Sequence, residues 1–240
     1  MEYVLTTSGL SKKYGKFQAL DDLSMHIPKG AIYGFVGRNG AGKTTLIRLI
    51  CGLQEPTQGA YSIYGIDYTD KSISKSRRRM GAVVETPSIY LDMTAEDNLK
   101  QQALILGLPS YDSIPEILKL VGLDNTGKKR VRNFSLGMKQ RLGIAVALMG
   151  NPDFLVLDEP VNGLDPQGII EIRELILKLN KEKQITVLIS SHILDELSRL
   201  ATHYGFIDKG RLVKEISAAE LEAACRKCIK VEVTDTKALV

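Results

Sequence analysis

The chain has 240 residues, of which 44% are hydrophobic and 25% are charged, a balance typical of a globular protein with one substantial core. A formal net charge of +4, without Lys/Arg runs interleaved with aromatic residues, argues against a nucleic-acid partner. Apolar runs such as residues 142–149 are far shorter than the ~20 residues that cross a bilayer, and the N-terminus lacks a basic segment followed by an apolar one. We therefore expect one cytoplasmic domain with room for a subdomain.

Three cysteines in a chain of this length, without a secretion signal, do not indicate a disulfide framework. Cys51 is expected to be a buried filler. Cys225 and Cys228 have metal-ligand or redox spacing, but no second Cys or His pair follows them. A structural role is therefore favoured for both.

Strand-like segments with turn signals occur up to Pro28 and again at residues 60–64, and they suggest an antiparallel layer. Elsewhere, short β-branched runs precede helical patterns in three places: residues 31–36 before 43–50, 154–157 before 169–179, and 186–189 before 193–200. That alternation predicts a parallel sheet with helices packed on it. Residues 208–211 are typical of a hairpin turn.

Residues 89–149 interrupt the alternation with three helical patterns, at 94–106, 114–121 and 135–149, and no clear strand. Thr94 followed by Asp97 predicts a capping box at the start of the first helix. We expect a helical subdomain over residues 89–149, inserted into a core formed by residues 1–88 and 150–216. We expect residues 217–240 to form a small extension, either complete or cut short, with one helix and a strand-like run at 229–233. The basic run at residues 77–79 is interpreted mainly as a solvated helix face.

A glycine-rich segment follows the first buried strand and opens a helix, which is the setting of a phosphate-binding loop. Glycines let backbone N–H groups surround phosphates, and the helix N-terminus adds partial positive charge. Lys43 can reach the outer phosphates, and the Thr44 hydroxyl can bind Mg²⁺. The residues assigned to nucleotide binding here are Gly37, Arg38, Asn39, Gly40, Ala41, Gly42, Lys43, Thr44 and Thr45.

Two carboxylates, Asp158 and Glu159, follow the buried strand at residues 154–157. Open α/β sheets bind ligands at the carboxyl ends of their strands. Asp158 is predicted to hold Mg²⁺, directly or through water, and Glu159 to orient and polarise the attacking water.

Residues 133–141, Asn-Phe-Ser-Leu-Gly-Met-Lys-Gln-Arg, resemble the signature motif of ABC ATPases, from which Leu136 and Met138 depart. The resemblance covers residues 4–216 and includes residues 162–165, similar to the loop that crosses the dimer interface. It implies that Tyr14 stacks on adenine, although the ring could instead pack in a hairpin. It also implies a switch role for His192 toward the γ-phosphate.

The resemblance implies an α/β P-loop NTPase (RecA-like) core with an antiparallel layer and an inserted helical subdomain, using ATP and Mg²⁺. It further implies a head-to-tail dimer with a second copy or a sibling ATPase, in which Ser135 and Gly137 of one subunit contact the other's nucleotide. Transmembrane permease subunits would be the partners, with the chain peripheral on the inner face of the membrane. The rivals are a soluble ABC ATPase acting on DNA or ribosomes and a regulatory module without turnover.

Glu85 occupies the place where most ABC ATPases have glutamine. A carboxylate still accepts from a Mg²⁺-bound water, but it adds negative charge and cannot donate. Glu85 and the sequence of residues 134–141 resemble those of the branch that includes bacitracin-resistance and lantibiotic-immunity exporters. The resemblance therefore implies that the transporter expels a peptide antibiotic.

Overall fold

The computed structural model describes residues 2–224 and is built around a six-stranded sheet in the order β11-β10-β4-β9-β8-β7. All neighbouring strands are parallel except β11, which pairs antiparallel with β10 at one edge. The central strands β4, β8 and β9 are mostly apolar or β-branched and are buried along their whole length, as expected for a parallel sheet covered on both faces. The strands are β4 (Ile32–Val36), β7 (Met80–Val83), β8 (Phe154–Asp158), β9 (Thr186–Ser191), β10 (His203–Asp208) and β11 (Arg211–Ser217).

A second, antiparallel sheet covers one face of the molecule, in the order β2-β1-β5-β6 with β3 also paired to β1. The predicted antiparallel layer is therefore present. Its strands are β1 (Tyr3–Tyr14), β2 (Phe17–Leu23), β3 (His26–Pro28), β5 (Gln58–Ile63) and β6 (Ile66–Asp67).

The helices follow the predicted order, and α3, α4 and α5 lie between β7 and β8. Thr94 caps α3: its hydroxyl accepts from the Asp97 backbone N–H, and the Asp97 carboxylate accepts in return from the Thr94 backbone N–H. The fold class is confirmed, while the exact subdomain boundaries stay a prediction. The helices are α1 (Lys43–Ile50), α2 (Ile73–Arg77), α3 (Ala95–Leu106), α4 (Ile114–Leu120), α5 (Leu136–Leu148), α6 (Pro166–Lys183), α7 (Leu194–Ser198) and α8 (Ala218–Ala224).

Strand β8 is shared by two hydrophobic cores because successive side chains of a strand point to opposite faces. Phe154 and Val156 belong to the core beneath the antiparallel layer, which also contains α1. Leu155 and Leu157 belong to the core that holds α5 and α6. The carboxyl end of β8 is thus fixed from both sides.

The interpretation of residues 77–79 as mainly solvated holds for the exposed Arg78 and Arg79 and is wrong for Arg77. Arg77 is half-buried and its guanidinium donates to the Tyr61 hydroxyl. Arg79 pairs with Asp153 and lies 3.7 Å above the Tyr64 ring. These contacts join α2 and β7 to their surroundings, which the local sequence does not reveal.

Cys51 is half-buried at the edge of the first core, and burial raises the pKa of its thiol to about 12. Cys225, Cys228 and the strand-like run at 229–233 lie outside the described residues. Within residues 2–224, no helix combines the length and the apolar character needed to span a membrane.

Candidate nucleotide-binding and hydrolysis site

The loop between β4 and α1 has a backbone that only glycine suits at two points. Gly42 has φ 113°, and a Cβ there would lie 2.6 Å from the Ala19 carbonyl oxygen. A Cβ on Gly37 would lie 2.5 Å from the Ile207 carbonyl oxygen. The loop therefore fits tightly against β2 and β10 and turns directly into the N-terminus of α1.

Lys43 is the cation at the base of this loop, and only 5% of it is exposed. Its ammonium donates to the carbonyl oxygens of Gly37 at 2.6 Å and Arg38 at 3.2 Å, and lies 3.1 Å from Glu159 Oε1. A cavity of about 230 Å³ opens above it, lined by Phe17, Ala19, Asn39, Gly40, Gly42, Lys43, Thr44, Thr45 and Glu159. A buried cation beside a helix N-terminus suits an anionic ligand such as a phosphate.

Asp158 at the end of β8 is 2% exposed and accepts two hydroxyl hydrogen bonds. Thr44 Oγ1 donates to Asp158 Oδ2 at 2.8 Å, and Ser190 Oγ donates to Oδ1 at 2.6 Å. Ser190 Oγ also accepts from the Glu159 backbone N–H at 2.9 Å. Sequence reasoning missed Ser190, which faces Asp158 because β8 and β9 pair in that register.

The donor chemistry of Thr44 and Asp158 fits Mg²⁺, which prefers hard oxygen ligands and completes its shell with water and substrate phosphates. No cluster of three or more His, Cys, Asp or Glu side chains able to hold a metal occurs within residues 2–224. A Mg²⁺ held by Thr44 and Asp158 would take its other ligands from nucleotide phosphates and water.

Glu159 lies between two basic side chains. Its Oε1 contacts Lys43, and its Oε2 lies 3.1 Å from His192 Nδ1. The backbone at Glu159 is left-handed, with φ 46°, a conformation rare outside glycine and frequent at functional sites. The structure thus brings Lys43, Thr44, Asp158, Glu159 and His192 together at one edge of the sheet, as their places after β4, β8 and β9 predict.

Glu85 follows β7 and faces the same region from the next strand along the sheet. It too is left-handed, with φ 59°, and its carboxylate pairs with Arg48 of α1. A cleft of about 380 Å³ is lined by Thr44, Glu85, Thr86, Pro87, Leu136, Gln140, Asp158, Glu159 and Asn162. This cleft joins the loop after β7 to Thr44 and Asp158 and to the start of α5.

A sequence model described as ABC transporter matches residues 20–162, more than half of the chain. The chain belongs to the ABC transporter family. It is 47% identical over 241 residues to the bacitracin transport ATP-binding protein BcrA of Bacillus licheniformis, covering 100% of this chain and 78% of the relative. It is 42% identical over 212 residues to the lantibiotic transport ATP-binding protein SrtF of Streptococcus pyogenes, covering 88% of this chain and 90% of the relative.

Solved ABC structures share the fold. CbiO1 of Clostridium perfringens, part of the transporter complex cbiONQ, superposes with a TM-score of 0.84 at 28% identity, covering 93% of this chain and 92% of that one. The dimeric ATP-binding cassette MJ0796, bound to ADP and Pi, gives 0.79 at 26% identity, covering 89% and 98%. This ABC subunit is thus an ATPase coupled to transport, and the comparisons lend no support to the soluble rival.

The signature residues of the ABC subunit are not in the wall of its own loop cavity. Ser135 is the N-cap of α5, and its Oγ accepts from the Met138 backbone N–H at 3.2 Å. Gly137 lies in the first turn of the same helix. Their contact with the nucleotide of a second subunit stays a prediction.

Two aromatic residues of the β1–β2 hairpin are candidates for stacking on adenine, which stays a prediction. Tyr14 donates its hydroxyl to Gln54, and Lys12 Nζ lies 5.3 Å from its ring centroid. Phe17, its partner across the hairpin, is 63% exposed and lines the loop cavity, whereas Tyr14 does not. Phe17 was missed at the sequence level, although an exposed aromatic three residues after Tyr14 was the available signal.

Proposed function

We propose that this chain binds Mg-ATP at the loop between β4 and α1 and hydrolyses it to drive export of a peptide antibiotic through separate membrane subunits. The observation that carries the proposal is the position of Glu159. Its carboxylate is held between Lys43 at 3.1 Å and His192 at 3.1 Å, beside the loop cavity. A fixed carboxylate next to a phosphate site is the arrangement that a water-activating base requires.

Each side chain has a distinct part in hydrolysis. Glu159 orients the attacking water and accepts its proton, and His192 fixes the second oxygen of that carboxylate. Lys43 compensates negative charge on the outer phosphates. Thr44 and Asp158 hold Mg²⁺, which, when bound, offsets phosphate charge.

The signature residues act in a second subunit. Ser135 and Gly137, at the N-terminus of α5, offer a hydroxyl and backbone N–H groups to the nucleotide of a partner cassette. The chain carries one phosphate loop and one signature segment, so a head-to-tail pair with a second copy or a sibling completes two sites. The dimeric form of the similar cassette MJ0796 supports this arrangement.

Relatives named for bacitracin and lantibiotic transport support a peptide antibiotic as the cargo. Permease subunits bind that cargo, and the chain lies on the cytoplasmic face of the membrane against them. ATP closes the cassette pair and hydrolysis opens it, which moves the attached membrane helices.

Glu159→Gln tests the catalytic assignment. We expect phosphate release to fall at least about 100-fold because the base is lost, while Mg-ATP still binds and traps a dimer detectable by size exclusion with light scattering. Unchanged phosphate release in the variant would remove Glu159 from the mechanism.

The cargo is tested by expressing the chain with its membrane subunits in a bacitracin-sensitive host. The wild type should raise the inhibitory concentration of bacitracin or of a lantibiotic, the Glu159→Gln variant should not, and resistance to chloramphenicol should stay constant as a control. An assembled, ATP-hydrolysing complex that protects against neither peptide would refute the cargo assignment.

A further inference from the structure

We propose that Arg48 is a positioning residue that neutralises and holds Glu85, and so makes a carboxylate tolerable where most ABC ATPases have glutamine. The inference rests on the proposed binding of Mg-ATP at the loop between β4 and α1, because Glu85 lines the cleft beside Thr44 and Asp158. It gives a role at the nucleotide site to a side chain of α1 that is not part of the phosphate loop.

The helix geometry of α1 aims Arg48 toward the cleft. Arg48 lies four residues after Thr44, one turn further along the same face of α1. Thr44 contacts Asp158, so this face looks toward the carboxyl ends of β7 and β8. Glu85 leaves β7 at that edge, and its Oε1 is paired with Arg48 Nη2.

The charges of the cleft show why a cation is needed. Three carboxylates line it, Glu85, Asp158 and Glu159. Glu159 is paired with Lys43, and Asp158 is held by hydroxyl groups of Thr44 and Ser190. Without Arg48, Glu85 would add an unbalanced negative charge facing a polyphosphate, whereas a neutral glutamine would need no such partner.

The loop that carries Glu85 has a second anchor on α5. A Cβ on Gly143 would lie 2.6 Å from Pro87 Cβ, so the loop packs directly on the backbone of α5. Arg48 and Gly143 therefore hold the two ends of a short segment between α1 and α5. Neutralising Arg48 releases one end only, which leaves the fold and the second anchor in place.

A double-mutant cycle separates charge compensation from simple packing. Mg-ATP affinity is measured by titration calorimetry in the Glu159→Gln background for four chains: the parent, Arg48→Met, Glu85→Gln and the double variant. Both side chains are substantially exposed, at 35% and 54%, so the expected loss for Arg48→Met is about two- to fivefold. In the Glu85→Gln background the same change should have almost no effect, because no charge remains to compensate.

Equal losses in the two backgrounds would overturn the proposal, since Arg48 would then act by packing or on the nucleotide itself. Arg48→Lys, which keeps the charge, should lose clearly less affinity than Arg48→Met, and a loss as large as that of Arg48→Met would likewise contradict the proposal. Arg78→Met, at an exposed arginine of the same chain, is the matched control and should change nothing. If Arg48→Met does not fold, as judged by thermal unfolding, Arg48→Gln takes its place in the cycle.

Phosphate release by the Glu159→Gln parent and by the chain with Glu159 intact is measured in parallel. Retained hydrolysis in the Glu159→Gln parent would contradict the proposed catalytic function, while the non-additivity of the binding cycle would still decide whether Arg48 compensates Glu85.

Discussion

The two sides of the nucleotide cleft are built differently. On the side formed by the phosphate loop and β8, Lys43 is 5% and Asp158 2% exposed, and each is tied to several partners within the chain. On the α5 side, the Glu85 side chain is 54% exposed and Leu136 is 50% exposed at the start of the signature helix. The buried side is complete in one chain, whereas the exposed side is a surface that a second protein can cover. This is the division expected of a site that is assembled and released in each cycle.

Ser190→Ala should break the buried side and give the largest effect. It removes a hydrogen bond to the Asp158 carboxylate and leaves the Glu159 backbone N–H without its acceptor. We expect a loss of about 2–3 kcal/mol in the free energy of unfolding, measured by urea denaturation, together with weaker phosphate release.

Ser191→Ala is the matched control for that prediction. Ser191 is equally buried, but its hydroxyl contacts Ile193 and Glu196 rather than Asp158. It should therefore leave phosphate release near the wild-type rate. Similar losses of activity in both serine variants would mean that Ser190 does not act through Asp158.

Gly143→Ala should disturb the junction between the two sides. The added Cβ overlaps Pro87, and overpacking costs about 1–3 kcal/mol, partly offset by the better helix propensity of alanine, roughly 1 kcal/mol. We expect a net loss of up to about 2 kcal/mol in thermal unfolding and a weaker ATP-dependent dimer, because the Glu85 loop is displaced.

Gly150→Ala provides the comparison, since a Cβ there meets nothing closer than 3.7 Å. Its stability should stay constant or rise slightly. If Gly143→Ala proves as stable as Gly150→Ala and dimerises normally, the loop does not depend on close contact with α5.

The smallest effect is expected at the aromatic residues of the exposed hairpin. Because Phe17 lines the cavity and Tyr14 does not, Phe17→Ala should weaken Mg-ATP binding by up to about fivefold, the value of one aromatic contact. Tyr14→Ala tests the stacking role implied by its position in the family. A larger loss for Tyr14→Ala than for Phe17→Ala would assign the adenine to Tyr14, and the calorimetric comparison of the two variants decides between them.

Local sequence was sufficient for the parts of the site that lie next to a strand end. Apolar β-branched runs marked β4, β8 and β9, and the polar residues that follow them had to meet at one edge of a parallel sheet. The phosphate loop, Asp158 and Glu159 were predicted in this way, whereas His192 was predicted from the resemblance to ABC ATPases. The helices between β7 and β8 were likewise visible from their periodicity and from the Thr94 cap.

Contacts that depend on register or on long-range packing were not visible. Ser190 reaches Asp158 only because β8 and β9 align at those two residues. Arg48 and Glu85 are far apart in sequence and meet through the placement of α1 beside β7. The same limit explains Arg77 and Arg79, whose partners come from β5, the β5–β6 turn and the residue before β8.

The sharing of β8 between the two cores has a consequence for how the molecule opens. Neither core can lose its packing without loosening the strand that the other core also holds, so we expect the amide hydrogens of β8 to exchange only through global unfolding. Asp158 ends this strand and Glu159 follows it directly, so we expect the amides beside both carboxylates to exchange more slowly than those of the exposed β1–β2 hairpin and the Glu85 loop. The cooperativity of the whole fold would therefore hold these two carboxylates in place, whereas the exposed surfaces could move without unfolding the core.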